Sequence, residues 1–165
     1  MGKSLIIKGA DFSENGIATL IGWVGGYTTE GLSWNSVIIG DSVYVVAPSE
    51  ATRLNMIGKT IKYIKINAAA TGYIKVYTAN TSTQPPYSVS NEQTIAVPRT
   101  GVVVLELPTP ITITNSNSIG LYGKGIVHFR SAAADYPAYG WRYFVANTST
   151  ELSPARISAD WGYNL

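Results

Sequence analysis

The chain has no cysteine and a single histidine, His128. The first absence excludes disulfide staples and thiolate metal sites. The second excludes a cluster of histidine ligands, since one imidazole cannot hold an ion by itself. Charge is also scarce. Only 13% of the residues are Asp, Glu, Lys or Arg, about half the usual share. The sole basic run, Lys59, Lys62 and Lys65, is short and lies in strand-like sequence, so it reads as a solvated strand face. Nucleic-acid binders need a broader basic face to displace counterions, so no nucleic-acid partner is expected. No run approaches the ~20 apolar residues of a membrane span. No secretory leader pattern follows Lys3, because polar residues return at Lys8.

What the chain does have is β-forming sequence. Tyr, Val, Ile and Thr are abundant, and turn signals recur at short intervals. Ser, Thr and Asn together outnumber the 12 basic and 10 acidic residues combined, which implies a neutral surface of hydroxyls and amides. A length of 165 residues fits one folded domain with its own core. Strands are expected over residues 17–24, 42–47, 60–68, 73–78, 94–97, 101–107, 111–114, 118–122 and 126–130. Residues 73–78 are expected to pair with 60–68 across the connection ending at Gly72. Residues 118–122 are expected to pair with 126–130 around Gly123-Lys-Gly125. Gly101–Leu107 is nearly all apolar, as for a central strand buried on both faces, and Pro108 and Pro110 should stop its ladder. One short helix fits Glu50–Ile57, capped by Ser49 and ended by Gly58, with Ala51, Leu54 and Ile57 on its buried side. Residues 81–90 and 131–140 read as loops. The expected fold class is all-β, an antiparallel β-sandwich of jelly-roll type with at most one short helix.

Chemistry-bearing motifs are few. Gly40-Asp-Ser42 follows an apolar run and resembles the nucleophile block of SGNH-type hydrolases. A serine nucleophile needs a base and an orienting carboxylate. His128 sits in strand-like sequence with no Asp just before it, so Ser42 stays a remote esterase alternative and a turn is the better reading. Asp11, Glu14 and Asn15 offer oxygens, but too few and at the wrong spacing for a hard cation. Asp11 or Ser13 capping a turn within Asp11–Gly16 accounts for them more simply. No catalytic residue, metal or cofactor is therefore expected. Eight aromatic residues fall between Phe129 and Tyr163. The segment Tyr136–Arg142 combines Tyr136, Tyr139, Trp141 and Arg142, with Asn147 beyond it. Rings with polar tips suit half-wet surfaces. Three readings stay open for this segment: part of the core, a subunit interface, or a carbohydrate site with Arg142 and Asn147 bonding hydroxyls.

The start of the chain, IIKGADFSENGI, carries a more specific pattern through Gly9, Ala10, Asp11, Phe12, Ser13, Asn15 and Ile17. It resembles a segment that opens fibre and surface proteins of gut Bacteroidetes and their phages, ahead of a β-domain. GKTIKYIKINAAATGYIKVY, TIAVPRTGVVVLELPTPITI and NSIGLYGKGIVHFRS are similar to jelly-roll modules of such proteins and of carbohydrate-binding domains. The resemblance implies a non-enzymatic virion component, a head or tail fibre or decoration protein, assembled in the host cytoplasm. A bacterial cell-surface protein is the alternative location. The resemblance also implies a homo-oligomer, expected as a trimer, with other virion proteins and host surface glycans as partners. Residues 1–17 would form the connecting and oligomerisation segment, through Leu5, Ile6, Ile7, Asp11, Phe12 and Ile17. Residues 18–165 would form the β-domain.

Overall fold

A computed structural model describes residues 10–12, 20–25, 36–37, 44–48, 50–80, 88–131, 141–145 and 151–165, with side-chain surroundings for 20–25, 53–80, 88–128 and 157–165. The strands are β1 (Ala10–Phe12), β2 (Leu20–Val24), β3 (Ser36–Val37), β4 (Tyr44–Pro48), β5 (Thr60–Ala68), β6 (Gly72–Asn80) and β7 (Val89–Val97). They continue as β8 (Gly101–Thr112), β9 (Asn117–Tyr122), β10 (His128–Ser131), β11 (Trp141–Val145), β12 (Glu151–Ile157) and β13 (Ala159–Asn164). One helix, α1 (Glu50–Met56), precedes β5. The strands form antiparallel sheets ordered β1-β2-β13-β5-β8, β3-β10-β12-β11-β4 and β7-β6-β9. β4 packs alongside β9, which joins the second and third sheets. The chain is an all-β antiparallel sandwich, with one short helix among the described residues.

Period-2 burial explains how the layers meet. Ile64 and Ile66 of β5, Val103, Leu105 and Leu107 of β8, and Ala159 and Trp161 of β13 point inward from the first sheet. Ile74 and Val76 of β6, Ile95 and Val97 of β7, and Ile119 and Leu121 of β9 meet them from the other side. Trp161 is fully buried within this cluster. Each buried side chain of this size contributes roughly 1.5–3 kcal/mol relative to exposure.

Both expected tight pairings are overturned. β5 pairs with β13 and β8, whereas β6 pairs with β7 and β9. β9 pairs with β6, whereas β10 pairs with β12 and β3. The short connections at residues 69–71 and 123–127 step between sheets instead of folding a hairpin. Around the second, the amides of Ile126 and Val127 donate to the Gly123 carbonyl at 3.0 and 2.9 Å. A turn signal reports that the chain changes direction, and partners remote in sequence have taken the edges of these strands.

β8 also departs from expectation. It is an edge strand, paired only with β5 among the described residues, and its burial alternates. Val102 and Glu106 are exposed while Val103, Leu105 and Leu107 are buried. The prolines interrupt the ladder without ending the strand. Pairing jumps from Tyr63–Glu106 to Ile61–Ile111, so Lys62 alone faces Leu107–Pro110. An edge strand tolerates proline because its outward amides need no ladder partner.

Helix α1 shows a smaller correction. Met56 is buried and Ile57 packs on the core, but Leu54 is 56% exposed. The buried side therefore runs through Met56 and Ile57, as expected for Ile57, and leaves Leu54 outside it. Gly58 ends the helix at φ +84°, the left-handed conformation that glycine favours at a helix end, and its amide donates to the Ile113 carbonyl at 2.8 Å.

Candidate functional site

Of the residues singled out in the sequence, Leu5, Ile6, Ile7, Ile17, Ser42, Tyr136, Tyr139 and Asn147 lie outside the described residues. Asp11 and Phe12 belong to β1 and stand opposite Ile21 and Leu20. Asp11 is thus a strand residue. Trp141 and Arg142 open β11, in strand and not in a loop. Arg142 faces Ala47 of β4, and the β12 register shifts between Trp141 and Tyr143. His128 is half-buried at the start of β10, where its carbonyl accepts from the Ser158 amide at 3.0 Å. Among the described residues no three His, Cys, Asp or Glu side chains group as metal ligands.

Among the described residues a groove of about 400 Å3 lies where β7 and β8 form the same border of the sandwich. Two irregularities create it. In β7, Asn91 and Glu92 together face Tyr77, between the pairs Val76–Gln93 and Thr78–Ser90. Asn91 occupies φ +52°, the left-handed region that a bulge of this kind demands. Its amide nitrogen donates to Thr78 Oγ1 at 3.1 Å, and that hydroxyl lies 2.7 Å from Ser90 Oγ. In β8, the Leu107–Pro110 interruption swings Thr109 and Pro110 toward β7.

Gln93 then bridges the two layers. Its Nε2 donates to the Thr109 carbonyl at 2.7 Å and its Oε1 accepts from the Thr109 amide at 2.8 Å. Pro108 and Pro110 carry no amide hydrogen, and that of Thr109 is taken, so this stretch offers no donor to an incoming strand. Asn117 closes the far wall. Its Nδ2 donates to the Thr112 carbonyl at 2.9 Å and its Oδ1 accepts from the Thr114 amide at 2.8 Å.

The groove is close to neutral. Glu92 is its one carboxylate, and Lys75 Nζ lies 3.0 Å from it. Beneath Glu92 the Tyr77 phenol is fully buried. Burial first, then Glu92 and Tyr122, push its pKa well above the ordinary 10.0. The sequence reading missed this site, because 81–90 reads as loop and 108–110 as a stop. The usable signals were an Asn inside an otherwise strand-like run and a Pro-Thr-Pro opposite it.

The basic run is not a solvated face. Lys65 is 8% exposed, and its Nζ stands 4.3 Å from the centre of the Trp23 ring. Its cross-strand partner Asp160 is buried as well. Tyr63 and Trp23 crowd the neighbouring Gly162, where a Cβ would meet Trp23 Cζ3 at 2.7 Å and Tyr63 Cβ at 2.9 Å. Burial, and secondarily Glu106, raise the Tyr63 pKa. Lys59 Nζ donates to the Asn55 carbonyl at 2.5 Å and lies 5.3 Å from the centre of the Tyr163 ring.

The fold and groove define an antiparallel β-sandwich with a polar, donor-poor edge. No family model, curated protein or solved structure matches the chain.

Proposed function

We propose that the chain is a non-enzymatic structural protein of a phage virion, a head or tail fibre or decoration subunit that assembles with copies of itself. The observation that carries this reading is the place of β1. Ala10–Phe12, within the segment that resembles the opening of phage fibre proteins, forms the border of the first sheet, paired on one side only among the described residues. A border strand can accept a strand from a second copy. The opposite border, β8, is blunted by its prolines, so assembly is directed to the N-terminal side. Other virion proteins would dock on the same segment, with host surface glycans as external partners.

The strand order supports a jelly roll. β2-β13-β5-β8 lies in one layer, β9-β6-β7 with β4 alongside lies in the other, and apart from the β6–β7 pair the chain crosses between them from β4 to β9. β10, β11 and β12 are then an insertion between β9 and β13. Among the described residues no helix is long and apolar enough to cross a membrane.

Light scattering on the purified protein tests the reading. The wild type should be a homo-oligomer, expected as a trimer. A variant lacking residues 1–9 keeps β1, and one lacking 1–12 removes it. The first should stay oligomeric and the second should fall to monomer, both still folded by far-UV dichroism. A monomeric wild type at micromolar concentration, or an oligomer that survives both deletions, would overturn the proposal.

A further inference from the structure

We infer that the groove between the Asn91 bulge of β7 and the Pro108–Pro110 interruption of β8 is a binding site for a neutral, multiply hydroxylated ligand, a saccharide unit. The inference is independent of where the protein assembles. Four observations converge on it.

The groove has the size of a small-molecule site, about 400 Å3. Its charge excludes several ligand classes. Lys75 neutralises the one carboxylate, and no cationic side chain lines the walls to favour phosphate or carboxylate groups. Its lining is as much polar as apolar and includes no aromatic ring, which disfavours lipid and flat aromatic ligands.

The remaining surface is an array of amides and hydroxyls from Asn91, Gln93, Thr109, Thr112 and Asn117. Each amide is already oriented by the protein. Asn91 is tied to Thr78, Gln93 to the Thr109 backbone, and Asn117 to the Thr112 and Thr114 backbones. A primary amide has two N–H donors and two acceptor lone pairs, so each of these keeps a further N–H after these bonds are made. Side chains locked in this way bind without a further ordering cost. Closely spaced hydroxyls that both donate and accept are what such an array complements.

The fourth observation is the backbone. A non-glycine residue held at φ +52° is a local cost, and such costs concentrate where a side chain must be aimed. The Asn91 bulge turns its amide toward the groove and keeps β7 from running flush with a strand that would fill it.

The test is an amide chemical-shift titration of the full chain with glucose, galactose, mannose and N-acetylglucosamine, and with inorganic phosphate as the charged probe. At least one sugar should shift amides confined to residues 78, 90–93, 109, 111, 112 and 117, with millimolar affinity. Phosphate should not. Asn91→Gly accepts the same backbone angle without the amide, so it should fold as well as wild type and weaken sugar binding about tenfold or more. Thr109→Val, on the exposed wall, should weaken it too. No shift with any sugar, equal affinity in Asn91→Gly and wild type, or shifts centred on residues 141–145 would each overturn the assignment. A monomeric protein that binds sugar here removes the fibre reading and leaves this one standing.

Discussion

Replacing Gly162 by alanine tests the packing of the first sheet's outer face with one methyl group. A Cβ there would lie 2.7 Å from Trp23 Cζ3, 2.9 Å from Tyr63 Cβ and 3.0 Å from Ile21 Cγ2. Carbon atoms pack at about 3.5–4.0 Å, so all three contacts are too close. The Trp23 ring could tilt, but that would disturb Lys65, whose ammonium stands over it at 4.3 Å. Tyr63 Cβ is held to its backbone and cannot tilt. Overpacking of this kind costs about 1–3 kcal/mol. In a chain of this length each kcal/mol moves the melting temperature by roughly 2–4 °C, so Gly162→Ala should melt about 2–12 °C lower. Urea unfolding followed by tryptophan fluorescence gives the free energy directly. Trp23→Leu in the same chain should recover part of the loss, with a coupling of about 0.5 kcal/mol or more. A Gly162→Ala protein as stable as wild type would refute the reasoning, because the space over residue 162 would then be open.

Three further outcomes follow from the same structure. Lys65→Met keeps the stem and removes the charge over Trp23, and should cost about 1–2 kcal/mol in urea unfolding. The Tyr77 phenol is held protonated by its burial. The unfolded chain therefore loses this proton first as pH rises, so the stability is full below pH 10 and declines above it. Urea midpoints should fall through that range, and Tyr77→Phe should flatten the fall. Gly58→Ala, at φ +84° with nothing within 4 Å of the added methyl, meets backbone strain alone and should lose about 1 kcal/mol in thermal unfolding.

Much of the strand content was legible because it rests on local periodicity. β5 occupies the stretch expected from Thr60–Ala68, and α1 lies within Glu50–Ile57 and ends at Gly58. The groove was not legible in the same way. Asn91, Gln93, Thr109 and Asn117 are ordinary polar residues in sequence, and their spacing carries no motif. They meet because two register breaks, on strands in different layers, fall at the same border of the sandwich.

The amino-acid sequence by itself determined the class of structure. Abundant β-branched and aromatic residues with recurrent turn signals require strands, and the absence of cysteine leaves the fold to its apolar core and backbone hydrogen bonds. Only the tertiary structure decided which strands are neighbours. Residues 69–71 and 123–127 change the chain's direction either way, and nothing local says whether the next strand pairs with the last or crosses to another sheet. The same holds for GVVVLEL, which fits a central strand by composition and lies at the sheet border among the described residues, while Pro108, Pro110 and the Gln93 bridge blunt the continuation of its edge. Lys65 shows the limit at a single residue. Its charge placed it in solvent, and the half-buried Trp23 ring brought beside it by β13 gave that charge a partner.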